Sequence, residues 1–107
     1  GKITRSYIGV GGQNVAVPRR VVRFHDLPVE RGVMVVSIEN DSPAMQAGLR
    51  KGDIIVGFSG HPVTGIDELQ RLLTEDKVGR KFPVTTLRGT DKIVLEVVPA
   101  ETMSSRE

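Results

Sequence analysis

Ser42-Pro43-Ala44-Met45-Gln46-Ala47-Gly48-Leu49-Arg50-Lys51-Gly52-Asp53-Ile54-Ile55 is the stretch on which the fold turns. A serine directly before a proline predicts a helix N-terminus. The hydroxyl accepts from an orphan N–H of the first turn, and proline lacks a donor where none is needed. Ala44, Met45 and Ala47 are expected to pack, and Gly48 takes the left-handed position that stops the helix after about one turn. Gly52-Asp53 predicts a second turn, and Ile54-Ile55-Val56-Gly57-Phe58 reads as a buried strand.

Downstream, Ser59-Gly60 carries a two-residue hairpin signal, with His61-Pro62-Val63 as the short return strand. Thr64 is expected to cap a helix over Ile66–Leu73, whose first turn holds Asp67 and Glu68 where the helix dipole favours them. This helix has two stripes: Leu69 and Leu72 on one side, Ile66, Gln70 and Leu73 on another. One broad core-facing surface accounts for that pattern as well as two separate faces do. Lys81–Arg88 and Asp91–Val98 alternate as strands, joined by a turn over Arg88-Gly89-Thr90-Asp91. The residues after Pro99 are polar and read as a frayed tail.

Upstream, Gly32–Glu39 is a β-branched strand whose apolar phase breaks between Val35 and Ile38. A bulge near Val36 would restore it. Residues 13–31 carry the weakest pattern: a short helix begun near Pro18 and ended by Pro28, or an irregular connector. Arg5-Ser6-Tyr7-Ile8-Gly9-Val10-Gly11-Gly12 sets bulky apolar residues among three glycines. A tight turn over Ile8, Gly9 and Val10 would aim successive N–H groups into one concavity, a nest suited to a carboxylate. On spacing alone, an N-terminal edge strand is the simpler reading.

The chain of 107 residues is 38% hydrophobic and 26% charged, enough for one domain with a modest core. Tyr7, Phe24, Phe58 and Phe82 are its only aromatics, so Val, Ile and Leu must fill that core. The element order implies an α+β domain: a small antiparallel barrel or sandwich of five to six strands, capped by two to three short helices. It divides into a linker (1–4), a domain (5–99) and a disordered tail (100–107). Beginning with Gly rather than Met, it reads as part of a longer protein.

Fifteen Lys and Arg against 13 Asp and Glu leave a formal net charge of +2, and Arg19, Arg20 and Arg23 form the one basic cluster. That is too sparse, and too poor in interleaved aromatics, for a nucleic-acid partner. With no cysteine there is no disulfide and no thiolate zinc site, which fits a reducing compartment or a periplasm equally. His25-Asp26 and His61 lack the strained nucleophile turn and oxyanion hole of a triad, and two histidines with scattered acids make no metal site. No catalysis, metal or cofactor is expected.

Tyr7-Ile8-Gly9-Val10, Gly32-Val33, Ser42-Pro43-Ala44 with Ala47-Gly48-Leu49 and Gly52-Asp53-Ile54-Ile55, the Ile66–Leu73 helix and Leu87-Arg88-Gly89 together resemble a PDZ domain. The resemblance covers residues 5–99 and is nearest to the PDZ domain of HtrA-type, DegS-like serine proteases. The Ser42–Ile54 block carries the fold resemblance, and Tyr7-Ile8-Gly9-Val10 points to HtrA. It implies that the N–H groups of Ile8, Gly9 and Val10 receive a peptide C-terminal carboxylate, with Tyr7 in the same loop. Ile8 and Val10 help line the pocket for an apolar last side chain. Val10, Gly11 and Gly12 pair with the peptide as an added strand, and Ile66, Gln70 and Leu73 form the opposite wall. Arg5 is placed as a secondary carboxylate contact, with a solvated surface arginine as the alternative. The resemblance further implies an attached protease domain, a homo-oligomeric parent and a bacterial periplasmic location, with inner-membrane anchoring of the parent. Two other readings stay open: a PDZ domain of another bacterial membrane-linked protease or secretion protein, and an occluded module serving structural or oligomer contacts.

Overall fold

The computed structural model describes residues 4–74 and 78–103, with side chains from residue 8 to residue 100. In chain order the elements are β1 (Thr4–Tyr7), β2 (Val10–Ala16), α1 (Arg19–His25), β3 (Arg31–Ile38), α2 (Pro43–Ala47), β4 (Ile54–Phe58), β5 (His61–Pro62), α3 (Ile66–Leu72), β6 (Phe82–Arg88), β7 (Asp91–Val97) and β8 (Ala100–Met103). Strands β2-β3-β4-β6-β7 lie side by side in one antiparallel sheet, with β5 added on β4, and β1 pairs with β8 in a separate ribbon. The sheet is open rather than closed into a barrel, and among the described residues β2 pairs only with β3, which leaves its other edge unpaired.

Two apolar clusters hold this arrangement. The larger gathers Ile8, Val33, Val35, Ala44, Ile55, Phe58, Val63, Leu69, Val84 and Val97 under α2 and α3. The smaller packs Val17, Val21, Leu27 and Val29 of the α1 region on Val56 and Leu87. Strand β4 runs between the two and carries a bulge. Ile55 faces Thr86 and Gly57 faces Thr85, leaving Val56 as the extra residue; Ile55 joins one cluster and Val56 the other, as successive side chains of a strand do.

The turn chemistry matches the sequence closely. The Ser42 hydroxyl accepts from the Met45 N–H at 3.2 Å, and Gly48 takes φ 97° at the end of α2. Ser59 and Gly60 both have positive φ, 54° and 82°, as a tight hairpin requires. Across β2 and β3, Gly11 faces Ser37 and Gly12 faces Val35, so Val36 is the residue bulged out and Ile38 returns to the main cluster. Pro18 does precede a helix, α1.

Three expectations fail. Met45 is 43% exposed rather than packed, because a one-turn helix anchored by Pro43 and Ala44 turns it outward. The N-cap of α3 is Gly65, not Thr64, and no side chain of its own supplies the cap. Residues Ala100–Met103 form β8 on β1 instead of fraying, through main-chain pairing that polar residues serve as well as apolar ones. Residues 104–107 of the expected tail lie outside the described residues.

Asp53 ties the turn that follows α2 to strand β6. Its buried carboxylate accepts from the Arg50 N–H at 3.0 Å and from Arg88 Nε and Nη2 at 3.0 and 2.7 Å. Arg88 also donates to the Gly48 carbonyl, and the hydrogen bond to Asp53 raises its pKa above the ordinary guanidinium value.

Candidate functional site

The chain leaves β1, turns at Gly9 with φ 85°, and enters β2. Only glycine takes that backbone angle without strain. Both loop carbonyls are committed inward. That of Ile8 accepts the Ala44 N–H at 2.8 Å, and that of Gly9 accepts the Glu39 N–H at 2.9 Å. The first of these satisfies an orphan donor of α2, so the Ser42–Ala47 turn positions the loop as well as the fold. Neither the Ile8 nor the Gly9 N–H donates to a backbone carbonyl among the described residues.

The Ile8 side chain is 2% exposed and belongs to the main core. It anchors the loop, which leaves Val10, half-buried against that core, as the loop side chain beside the open edge.

The bond from Glu39 to Gly9 flanks the Val10–Ile38 pair, making it a non-hydrogen-bonded pair whose own N–H and C=O groups point away from each other. Val10 therefore presents its backbone groups at the unpaired edge of β2, and Gly12, two residues on, presents its own in the same direction. At Gly12 a side chain has no room: a Cβ would run into Val33 Cγ1 and would lie 3.6 Å from Ile66 Cγ1.

Helix α3 lies along this edge. Leu69 is buried in the core and Leu72 is packed on it, while Ile66 and Leu73 are half-buried and Gln70 is exposed. Ile66 and Leu73 pack against the same main cluster as Leu72, so the two stripes form one broad face with Leu69 at its centre and Gln70 outside it. At its N-terminus the Asn14 Oδ1 accepts the Ile66 N–H at 2.8 Å. Asn14 escaped sequence reasoning because its partner is distant in the chain.

β2 and α3 are therefore the two walls of the candidate groove, with the Ile8–Val10 loop at one end and Asn14 at the other. Of the predicted site residues, Ile8, Gly9, Val10, Gly11, Gly12, Ile66, Gln70 and Leu73 fall on these two walls or the loop. Arg5 and Tyr7 sit on β1 next to the loop, and their side chains lie outside the described residues. His25 and His61 are on α1 and β5, and no cluster of metal-ligating side chains occurs among the described residues. No helix of the described residues is long and apolar enough to cross a membrane.

A family model described as PDZ domain matches residues 6–98. The serine endoprotease DegS of Escherichia coli (strain K12) is 27% identical over 101 residues, 94% of this chain and 28% of that protein. The periplasmic serine endoprotease DegP of Salmonella typhimurium is 48% identical over 66 residues, 62% of this chain and 14% of that protein. Among solved structures, the HtrA3 PDZ domain bound to a phage-derived ligand (FGRWV) superposes with a TM-score of 0.72. It is 25% identical, over 96% of this chain and 93% of that one. The chain spans about a quarter of the length of the curated relatives it matches.

Proposed function

The chain belongs to the PDZ domain family, and from that premise we propose that it captures the C-terminal carboxylate of another polypeptide by adding it as a strand to β2. One observation carries the reading. The unpaired edge of β2 runs beside α3 and begins at a loop whose Ile8 and Gly9 carbonyls are tied inward while their N–H groups have no backbone acceptor among the described residues.

The Ile8, Gly9 and Val10 N–H groups receive the carboxylate. The outward backbone of Val10 and Gly12 pairs with the peptide antiparallel to β2, and Gly11 keeps the strand close to β3. Val10, Ile66 and Leu73 take an apolar last side chain, while Gln70, exposed on the rim, meets side chains further along. Arg5, just before the loop, adds positive charge near the carboxylate. Main-chain pairing supplies affinity and the side-chain pockets supply selectivity. Affinity is modest, since a short peptide buries little area and must be ordered.

The domain is non-catalytic, and the protease domain of its HtrA-type relatives is absent from it. In its parent, the captured tail belongs to a misfolded protein and either activates or feeds an attached serine protease of a homo-oligomer in the bacterial periplasm, anchored at the inner membrane. The name of the periplasmic relative supports that compartment.

Titrating a free-carboxylate peptide ending in an apolar residue into the 15N-labelled domain tests the groove. Shifts confined to Ile8–Gly12 and α3 are expected. Shifts elsewhere with these residues silent would refute the assignment.

A further inference from the structure

The outer face of α1 is built for contact and lies apart from the groove. Arg19, Arg20 and Arg23 fall at helical spacings that bring them together around Phe24, which at 79% exposed is the most exposed large apolar side chain among the described residues. These four residues line one shallow depression, and Arg19 and Arg20 continue into a second along Gly89 and Thr90. None of the three arginines pairs with a carboxylate among the described residues. Alone they exceed the formal net charge of the whole chain, +2.

The face is held in place. Val21 sits in the smaller core cluster, and His25 Nε2 is 2.7 Å from the Thr90 carbonyl in the β6–β7 turn. The Phe24 and His25 rings meet edge to face, 4.8 Å between centroids, so Phe24 projects from a braced helix end.

We propose that this face docks an acidic segment of another polypeptide that carries an apolar side chain between its carboxylates. Arginine forks suit carboxylates bidentately, and an exposed phenyl ring among them gives the apolar centre that a contact needs. A nucleic acid fits poorly, because a single exposed aromatic offers little base stacking. A lipid surface fits poorly too, because α1 has seven residues and one exposed large apolar side chain. A second copy meeting the same face across a twofold axis would set arginines against arginines.

The test uses a fluorescein-labelled peptide, Glu-Asp-Glu-Phe-Glu-Asp-Glu, amidated at its C-terminus so that it offers the groove no carboxylate end. Anisotropy should report saturable binding that weakens as salt rises. Combining Arg20→Glu with Arg23→Glu should lower affinity at least tenfold, and Phe24→Ser severalfold. The variant Gly9→Val should bind like the parent. Absence of binding, or binding indifferent to the arginine changes, would overturn the proposal. So would preferential binding to phosphatidylglycerol vesicles, or self-association lost in Phe24→Ser, since each assigns the face to a different occupant.

Discussion

Asn14 and Ile66 stand 52 positions apart, yet the Asn14 side chain caps the helix that Ile66 begins, Oδ1 accepting the Ile66 N–H at 2.8 Å. The residue before the helix is Gly65, which has no side chain to cap with, and a Cβ there would press within 3.1 Å of Asn14. The edge strand thus supplies the missing cap and fixes the spacing of the two groove walls.

Asn14→Ala is expected to cost about 1 kcal/mol of stability, the usual value of a helix N-cap. It should also weaken peptide binding, because α3 is no longer tied to β2. Gly65→Ala should act through the same hydrogen bond, so the double variant should lose less than the two single losses added. Denaturant melts alongside peptide titrations of all three variants check this.

Gly12→Ala places a methyl against Val33 under the groove. Overpacking of this kind costs about 1–3 kcal/mol. The added methyl would also lie 3.6 Å from Ile66 Cγ1, so a shift that relieves the clash with Val33 is expected to press on α3. Peptide affinity is expected to fall more than the stability loss alone explains, as measured by titration at a temperature where the variant stays folded.

Thr86 is fully buried, and its hydroxyl has no hydrogen-bond partner among the described residues. Thr86→Val keeps the shape and removes the unsatisfied group. A gain of roughly 1 kcal/mol is expected, with peptide affinity unchanged. A loss of stability on thermal denaturation would mean that the hydroxyl is satisfied in solution.

Asp53→Ala removes the acceptor of three hydrogen bonds at a buried position. A loss of about 2–3 kcal/mol is expected in urea melts, on the scale of broken charge-assisted bonds. The Arg88 pKa is raised on folding, so its contribution is fully present below the unfolded value and fades only as pH rises through the folded one. The guanidinium side of this pair should therefore introduce no change in stability at neutral or acid pH.

Much of this molecule was legible because its turns are written in local chemistry. Ser42 with Gly48, and Ser59 with Gly60, need no distant partner to be read, and the broken phase from Val35 to Ile38 located a bulge. The turn at Gly9 was legible in its glycine, whereas the double stripe of α3 folds into one broad face, Ile66, Leu72 and Leu73 all packing on the main cluster. The unread parts depend on partners far along the chain. Strand β2 has glycines and polar residues where a core strand would alternate, because it is an edge strand defined by its backbone. Asn14 caps across space, and β8 pairs with β1 from the far end of the chain. Met45 was misplaced because an apolar residue on a single-turn helix has no periodicity to betray its face.

The central claim, that the Ile8–Val10 loop is a carboxylate receptor, is tested most directly by one pair of titrations. The same short peptide ending in an apolar residue is offered with a free C-terminus and with an amide, to the parent domain and to Gly9→Val. Gly9 sits at φ 85°, which a β-branched residue resists, so that variant should disturb the loop while the core keeps its fold. Saturable binding of the free acid, at least tenfold weaker binding of the amide, and loss of binding in the folded variant are expected. Equal affinity for acid and amide, or unchanged binding by Gly9→Val, would contradict it.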